Sequence, residues 1–507
     1  MMYRCVHCGR LMKYQVPHRC NTGYRKRHLK FIEVDIYKEN KPEIMITKSK
    51  DFKQEYCCTI VRIGAVEPIQ GSDFLGTTMV EGRTIVVRKD QTHEGDVMFY
   101  VSNESQVDAD FLRTNNCFED KTMNADTEKK GYINKYGRIR MVKLRGQLSM
   151  GILFSLEQMQ AWLPELNSFR PERCIGEDFD TVCGHLFVKA YVPPRKENQH
   201  TGTGSGPRSK KAQFERIIPG EFQFHYDTKQ LQREISRIRP DDKVTISVKE
   251  HGTSLVMGNV RTLQPRWGGL YSRVFPHLPK FLQFIRTAYD VIYSSRTVIK
   301  NPYYNSRVTS GYYGTDVWGE YYKLLRDFIP EGYTIYGEIV GYVSGDKMIQ
   351  KGYDYGCEPG QNQLMIYRVS IDKEEGRREM DVSEVATFTI QLRKAVEKAI
   401  GKEASNRIKV INVLWHGTLA DLYPGFTTGE HWHANVLEAL KMDTKHFGME
   451  QDEPMCKNNV PREGICLRID NDPVNECFKL KALRFLGKEA ELMDKGEVDM
   501  EMADNFQ

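Results

Sequence analysis

The stretch Thr245-Ile246-Ser247-Val248-Lys249-Glu250-His251-Gly252-Thr253-Ser254-Leu255-Val256 decides how this chain is read. It has the pattern of a strand, a tight turn at Gly252, and a second strand. A lysine at the end of an apolar strand can be desolvated. That disfavours the ammonium and leaves a neutral, nucleophilic amine. Gly252 lets backbone approach a ligand closely, because it carries no Cβ. Alone, one Lys-x-x-Gly is more simply a surface lysine in a hairpin.

Four later segments change that balance. Tyr336-Gly337-Glu338-Ile339-Val340-Gly341 is an apolar strand interrupted by a carboxylate, and Leu364-Met365-Ile366-Tyr367-Arg368-Val369 is a strand with an aromatic in it. Glu463-Gly464-Ile465-Cys466-Leu467-Arg468-Ile469 has a carboxylate at its head. Phe478-Lys479-Leu480-Lys481 places two lysines on one face, since strand side chains alternate with period two. In this order the five segments resemble the motifs of covalent nucleotidyltransferases: DNA ligases, RNA ligases and mRNA capping enzymes.

With 507 residues the chain has room for two to four domains. Lys plus Arg is 73 against Asp plus Glu 68, a net charge of +5. That permits nucleic-acid binding without arguing for it, because a local patch is what matters. The start Met-Met-Tyr-Arg-Cys lacks the apolar core of a signal peptide, and no 18-residue apolar run occurs. The twelve cysteines lie among lysine-rich sequence. A soluble cytoplasmic protein with reduced or metal-bound thiols is expected, without a membrane partner and as a monomer. A virus- or phage-infected cell fits that setting.

Residues 1–30 hold Cys5, Cys8, His18 and Cys20, a knuckle and a second ligand pair suited to a closed tetrahedral zinc site. Residues 45–192 read as short strands with Glu-Gly turns, and an OB-fold-like barrel is expected. Within it Arg138, Arg140, Lys143 and Arg145 could line a face for a phosphate backbone, or stand as a solvated basic edge. A helix is expected over Leu156 to Leu163. Residues 193–211 are rich in Gly, Ser, Thr, Pro and Lys and read as a flexible linker. Residues 212–485 alternate strands and helices, the pattern of an α+β domain. Helices are expected at Thr228–Arg237, Leu278–Tyr293, Glu320–Phe328 and Ser383–Ala399. Another, opened by a capping box at Thr427-Thr428-Gly429-Glu430, runs through Leu440. Residues 486–507 read as an acidic tail.

The resemblance can be narrowed. DNA ligases and capping enzymes carry an OB domain after the last lysine motif, whereas here a barrel is expected before the first. That order, and the histidine of Lys-Glu-His-Gly-Thr-Ser, look like the Deinococcus-type RNA ligases. The fold implied is an α+β nucleotidyltransferase domain of antiparallel sheets and helices behind an OB module. The activity implied is ATP-dependent joining of RNA 3′-OH and 5′-phosphate ends. The resemblance makes Lys249 the nucleophile and puts Lys479 and Lys481 on the α-phosphate. Glu338 and Glu463 would serve the ribose and a Mg²⁺ or Mn²⁺ ion, and Tyr367 would stack on adenine. Val248, Glu250, Gly252 and Arg273 would complete the ATP site, with Val248 offering only backbone. A capping guanylyltransferase, an ATP-dependent DNA ligase and a non-catalytic zinc and OB nucleic-acid-binding protein are the alternatives.

The zinc site has its own test. Purified protein should carry about one zinc, and Cys5→Ser or Cys20→Ser should lose it. Elemental analysis that finds no zinc in the wild-type chain would make the terminus a tail.

Overall fold

A computed structural model describes residues 45–192, 217–225, 228–265, 285–296, 298–300, 315–373, 376–470 and 476–495, with the backbone of Met2–Cys5, Leu11–Met12 and Phe31–Val34. The zinc set Cys5, Cys8, His18 and Cys20, the linker and Arg273 therefore lie outside the described residues, apart from the Cys5 backbone. No helix among the described residues is long and apolar enough to cross a membrane. The chain clusters into two compact units, Met1–Val80 with Thr84–Tyr191 and Glu81–Arg83 with Val192–Gln507.

In the first unit the strands β1 (Cys58–Arg62), β2 (Leu75–Val80), β3 (Arg83–Arg88) and β4 (Val97–Ser102) are followed by a hairpin, β5 (Val142–Leu144) and β6 (Gln147–Ser149). Then come β7 (Gly151–Phe154), helix α1 (Leu156–Trp162) and β8 (Asp178–Phe179). One sheet has the order β7-β4-β1-β8, and β2 and β3 belong to another. Helix α1 starts where expected because Ser155 and Gln158 form a reciprocal capping box.

The basic stretch is not one exposed row. Arg138 is 2% exposed, and its Nε and Nη2 donate to Glu104 at 2.7 and 3.0 Å. Glu104 is itself buried, and the planar guanidinium satisfies both of its oxygens. Arg140 pairs with Glu119 at 2.7 Å. Lys143 and Arg145 stand exposed on the β5–β6 hairpin, whose turn takes positive φ at Arg145 (50°) and Gly146 (87°).

In the second unit, β9 (Lys229–Gln230), β10 (Lys243–Lys249), β11 (Thr253–Pro265), β12 (Ile285–Ser294) and β13 (Ile299–Lys300) precede helix α2 (Val317–Leu325). There follow β14 (Tyr333–Ser344), β15 (Asn362–Lys373), β16 (Gly376–Glu379), α3 (Val382–Ala399), β17 (Val413–Thr418) and α4 (Trp432–Met442). The unit closes with β18 (Gly464–Ile469), β19 (Cys477–Lys481) and α5 (Leu483–Asp494). A five-stranded sheet runs β9-β19-β18-β10-β17, and an eight-stranded one contains the path β13-β12-β11-β14-β15-β16. One face of the larger sheet, through Leu255, Met257, Ile335, Ile339, Leu364 and Ile366, packs with Trp318, Tyr321 and Leu392 of α2 and α3.

Three expectations about elements are corrected. The helix expected at Leu278–Tyr293 is, over Ile285–Ser294, strand β12, paired with β11 along its length. Its buried Val291 and Tyr293 recur with period two, which suits a strand. Helix α4 begins at Trp432 with no side-chain cap bond, because Gly429 at φ 88° turns the chain before the helix and detaches the Thr427 box. The segment expected as tail from residue 486 is helix through Asp494, with Ala490 and Met493 buried.

Arg138→Ala would strand the Glu104 carboxylate in the core and should cost about 3–5 kcal/mol. Lys143→Ala should stay within about 0.5 kcal/mol. Denaturant unfolding of the full chain followed by tryptophan fluorescence measures both.

Candidate active site

The register of the five-stranded sheet builds the site. Lys249, last residue of β10, stands opposite Gly464 of β18, and Gly464 stands opposite Lys481 of β19. Two pairs along, Ser247, Cys466 and Lys479 form the next row on the same face. Directly opposed residues share a face, as do residues two apart. Lys249, Lys479 and Lys481 therefore project from one face. Val248, Ile465, Leu467, Phe478 and Leu480 alternate onto the other face and are buried.

Gly464 has φ 148°, and a Cβ there would sit 2.1 Å from the Leu480 carbonyl oxygen. Only glycine fits, and its missing side chain leaves the centre of the row open between two lysines.

Glu463 fills that opening from the strand's head. It is 3% exposed. Its Oε1 lies 2.7 Å from Lys249 Nζ and 3.6 Å from Lys481 Nζ, and its Oε2 lies 3.4 Å from His251 Nδ1. Burial would push its carboxyl up, but Lys249 and then the His251 hydrogen bond hold it well below the usual carboxylate range. An ionised carboxylate 2.7 Å from Lys249 Nζ favours the ammonium form of that amine. Lys481 is drawn in a second direction by Glu489 of α5, at 3.1 Å.

The turn after Lys249 is set by packing. Glu250 turns away from the lysine face and is 5% exposed. Burial, and then the Glu453 carboxylate, push its carboxyl up to about 8, with Tyr355 and Arg462 nearby. Its side chain is thus not on the face with Lys249. Val248 is 1% exposed, and its N–H donates to Asn412 O at 2.9 Å. A Cβ on Gly252 would lie 2.3 Å from Ile339 O and 2.9 Å from Glu338 Cγ. The close approach that Gly252 permits is therefore onto β14, and it sets Glu338 against the turn that follows Lys249. His251 packs edge-on to Tyr353 and Phe485 at 4.8 and 4.9 Å.

From the larger sheet come Glu338 and Tyr367. Glu338, 7% exposed, stands between Ser254 and Met365. Tyr367 sits at the β14–β15 register shift after Tyr336. It packs both on the core beneath β10 and β18 and on the cluster of Val256 and Tyr336, with His225 6.1 Å from its ring.

No three His, Cys, Asp or Glu side chains converge on a metal position among the described residues. The buried Glu463 and Glu338 are hard oxygen donors of the kind that hold Mg²⁺ or Mn²⁺ together with nucleotide phosphates. Sequence reasoning missed the links of His251 to Glu463 and of Glu489 to Lys481. The only signal for the first was a histidine two residues past Lys249.

A family model described as an OB-fold domain matches residues 57–156. No curated protein matches the chain. Among solved structures the chain is similar to a mutant Naegleria gruberi RNA ligase with AMP and Mn, at 18% identity and TM-score 0.51, covering 86% of this chain and 99% of that one. A second mutant of that ligase, with ATP and Mn, is similar at 16% identity and TM-score 0.50, again covering 86% and 99%. These likenesses show a shared fold.

Glu463→Gln would remove the anion that favours the Lys249 ammonium. Acylation of Lys249 by an amine-reactive reagent near neutral pH, read by peptide mass spectrometry, should then speed up by about tenfold, one pK unit. A slower reaction would mean that Glu463 does not hold the amine protonated.

Proposed function

We propose that this chain is an ATP-dependent RNA ligase that joins 3′-OH and 5′-phosphate ends at nicks or breaks in duplex or structured RNA. The observation that carries the reading is the Lys249–Gly464–Lys481 row with Glu463 clamped between its two amines. The fold shared with Naegleria gruberi RNA ligase, whose structures hold AMP or ATP with Mn, supports it. The position of the OB-type unit supports grouping the chain with ligases of the Deinococcus type.

On this reading Lys249 Nζ attacks the α-phosphorus of ATP, the bond to pyrophosphate breaks, and the lysine proton is lost. The AMP then passes to a 5′-phosphate, and a 3′-OH attacks that activated phosphate and expels AMP. Each step is an in-line phosphoryl transfer, so positioning and charge stabilisation carry the catalysis. Lys479 and Lys481 would hold the α-phosphate oxygens from the neighbouring strand. Tyr367 would stack on adenine between the sheets, and Arg273 would meet sugar or phosphate. Glu463 and Glu338 would hold Mg²⁺ or Mn²⁺, which when bound neutralises phosphate charge. Separation of Lys249 from Glu463 is the event that frees the amine. Cys5, Cys8, His18 and Cys20 would hold a structural zinc. On the OB-type unit Lys143 and Arg145 are the exposed members of the basic stretch and would touch the RNA backbone.

Incubation with α-labelled ATP or GTP and Mg²⁺ or Mn²⁺ tests the nucleotide. Denaturing electrophoresis should show label from ATP, and preference for GTP would favour a capping enzyme. The ATP-labelled protein should seal a nicked RNA duplex with a 5′-phosphate. Replacing Lys143 and Arg145 together by alanine should weaken sealing and flatten its salt dependence while self-labelling holds. Equal sealing by that variant at all salt concentrations would return the hairpin to a solvated edge.

A further inference from the structure

Lys481 faces two carboxylates. Its Nζ donates to Glu489 at 3.1 Å (Oε1) and 3.4 Å (Oε2), and stands 3.6 Å from Glu463 Oε1. Glu463 Oε1 is already taken by Lys249 at 2.7 Å. Lys481 thus leans toward α5 and away from the pair that holds Lys249. The Glu489 side chain is only 12% exposed, so this is not one of the screened surface pairs that contribute little. The backbone fixes the carboxylate there. β19 ends at Lys481, the Ala482 N–H donates to Glu463 O at 2.9 Å, and α5 starts at Leu483. The Glu450 carboxylate accepts from the N–H groups of Leu483 and Arg484 at 2.6 and 3.0 Å, and Arg484 pairs with Asp452 at 2.8 Å. Phe485 and Glu489, four apart on α5, share one face. Phe485 is buried, and Lys481 Nζ lies 5.1 Å from its ring centre. None of the five sequence motifs contains Glu489.

We propose that Glu489 is a positioning residue for the nucleotide step: it holds Lys481 off Glu463, so that Lys249 and Lys481 reach the α-phosphate as two separate amines. The proposal rests on the ligase reading for the reaction it serves. In that step a bond forms between Lys249 Nζ and the α-phosphorus. The bond to pyrophosphate breaks with its electron pair on the leaving oxygen, and the Lys249 ammonium sheds two protons to solvent. Without the Glu489 charge, Glu463 is the carboxylate left to Lys481, and both amines crowd onto one oxygen. Two effects then oppose each other. Lys249 is loosened, which is worth about tenfold by the measure of one pK unit. The cation that meets the developing phosphate charge is drawn aside, and loss of such a preorganised group costs on the order of 100- to 1000-fold. The second effect wins, so Glu489 speeds the step.

The test uses the full chain and the isosteric variant Glu489→Gln, with thermal unfolding to show that both fold. The rate of self-labelling at saturating ATP should fall by about tenfold or more. Glu489→Asp, which keeps the charge, should label faster than Glu489→Gln. In a Lys481→Ala background Glu489→Gln should add no further loss, because it acts through that lysine; a merely structural role would make the two losses multiply. Crystal structures of the wild-type chain and Glu489→Gln should show Lys481 Nζ moved to hydrogen-bond distance from Glu463 in the variant. Should Glu489→Gln not fold, Glu489→Ala takes its place in each comparison. The proposal is overturned if the variant labels as fast as wild type or faster, if the losses multiply, or if Lys481 keeps its distance from Glu463. Wild-type protein that takes no label from ATP sinks the ligase reading, and the two crystal structures then decide by themselves whether Glu489 holds Lys481 off Glu463.

Discussion

A single buried carboxylate organises the second unit. Glu463 is almost wholly out of water, yet it stays ionised because Lys249, Lys481 and His251 reach it from two strands and a turn. Removing one member of such a pair typically costs 3–5 kcal/mol, because the other is left charged and unmatched. The arrangement thus resists random loss of a lysine. Anything that competes for the Glu463 oxygens loosens its hold on the Lys249 amine.

The backbone makes this clamp possible. Strand alternation sends Ile465 and Leu480 into one core and the three lysines to the other side. The same alternation explains why Glu250, next to Lys249, is a buried carboxyl in a nest with Tyr355, Glu453 and Arg462. Gly464 keeps the middle of the row empty, and Gly252 lets the turn lie against β14. The second contact sets Glu338 of the larger sheet against the turn that follows Lys249.

Much of this was legible in the sequence where local pattern and chemistry coincide. The two lysines of Phe478-Lys479-Leu480-Lys481 share a face as period two requires, and helix α3 fills the expected Ser383–Ala399 span. What escaped depends on contacts between distant residues. Nothing near Arg138 announces that Glu104 lies opposite it in a core, and a basic stretch read locally looks like surface. Glu489 looked like tail because its partner Lys481 belongs to a different element. Leu278–Tyr293 has apolar spacing that suits a helix, and only pairing with β11 settles Ile285–Ser294 as a strand. The ion pair of Lys249 with Glu463 escaped for the same reason: burial is visible in sequence, but a carboxylate more than two hundred residues away is not.

The central claim is that the amine of Lys249, freed from Glu463, becomes covalently bonded to a nucleotide phosphate. Peptide-resolved mass spectrometry of the chain after incubation with ATP and Mg²⁺ or Mn²⁺ tests it directly. The account predicts an AMP adduct on the peptide containing Lys249, acid-labile as a phosphoramidate and removed by added pyrophosphate. An adduct on another residue, or none in protein shown to bind ATP, would contradict it.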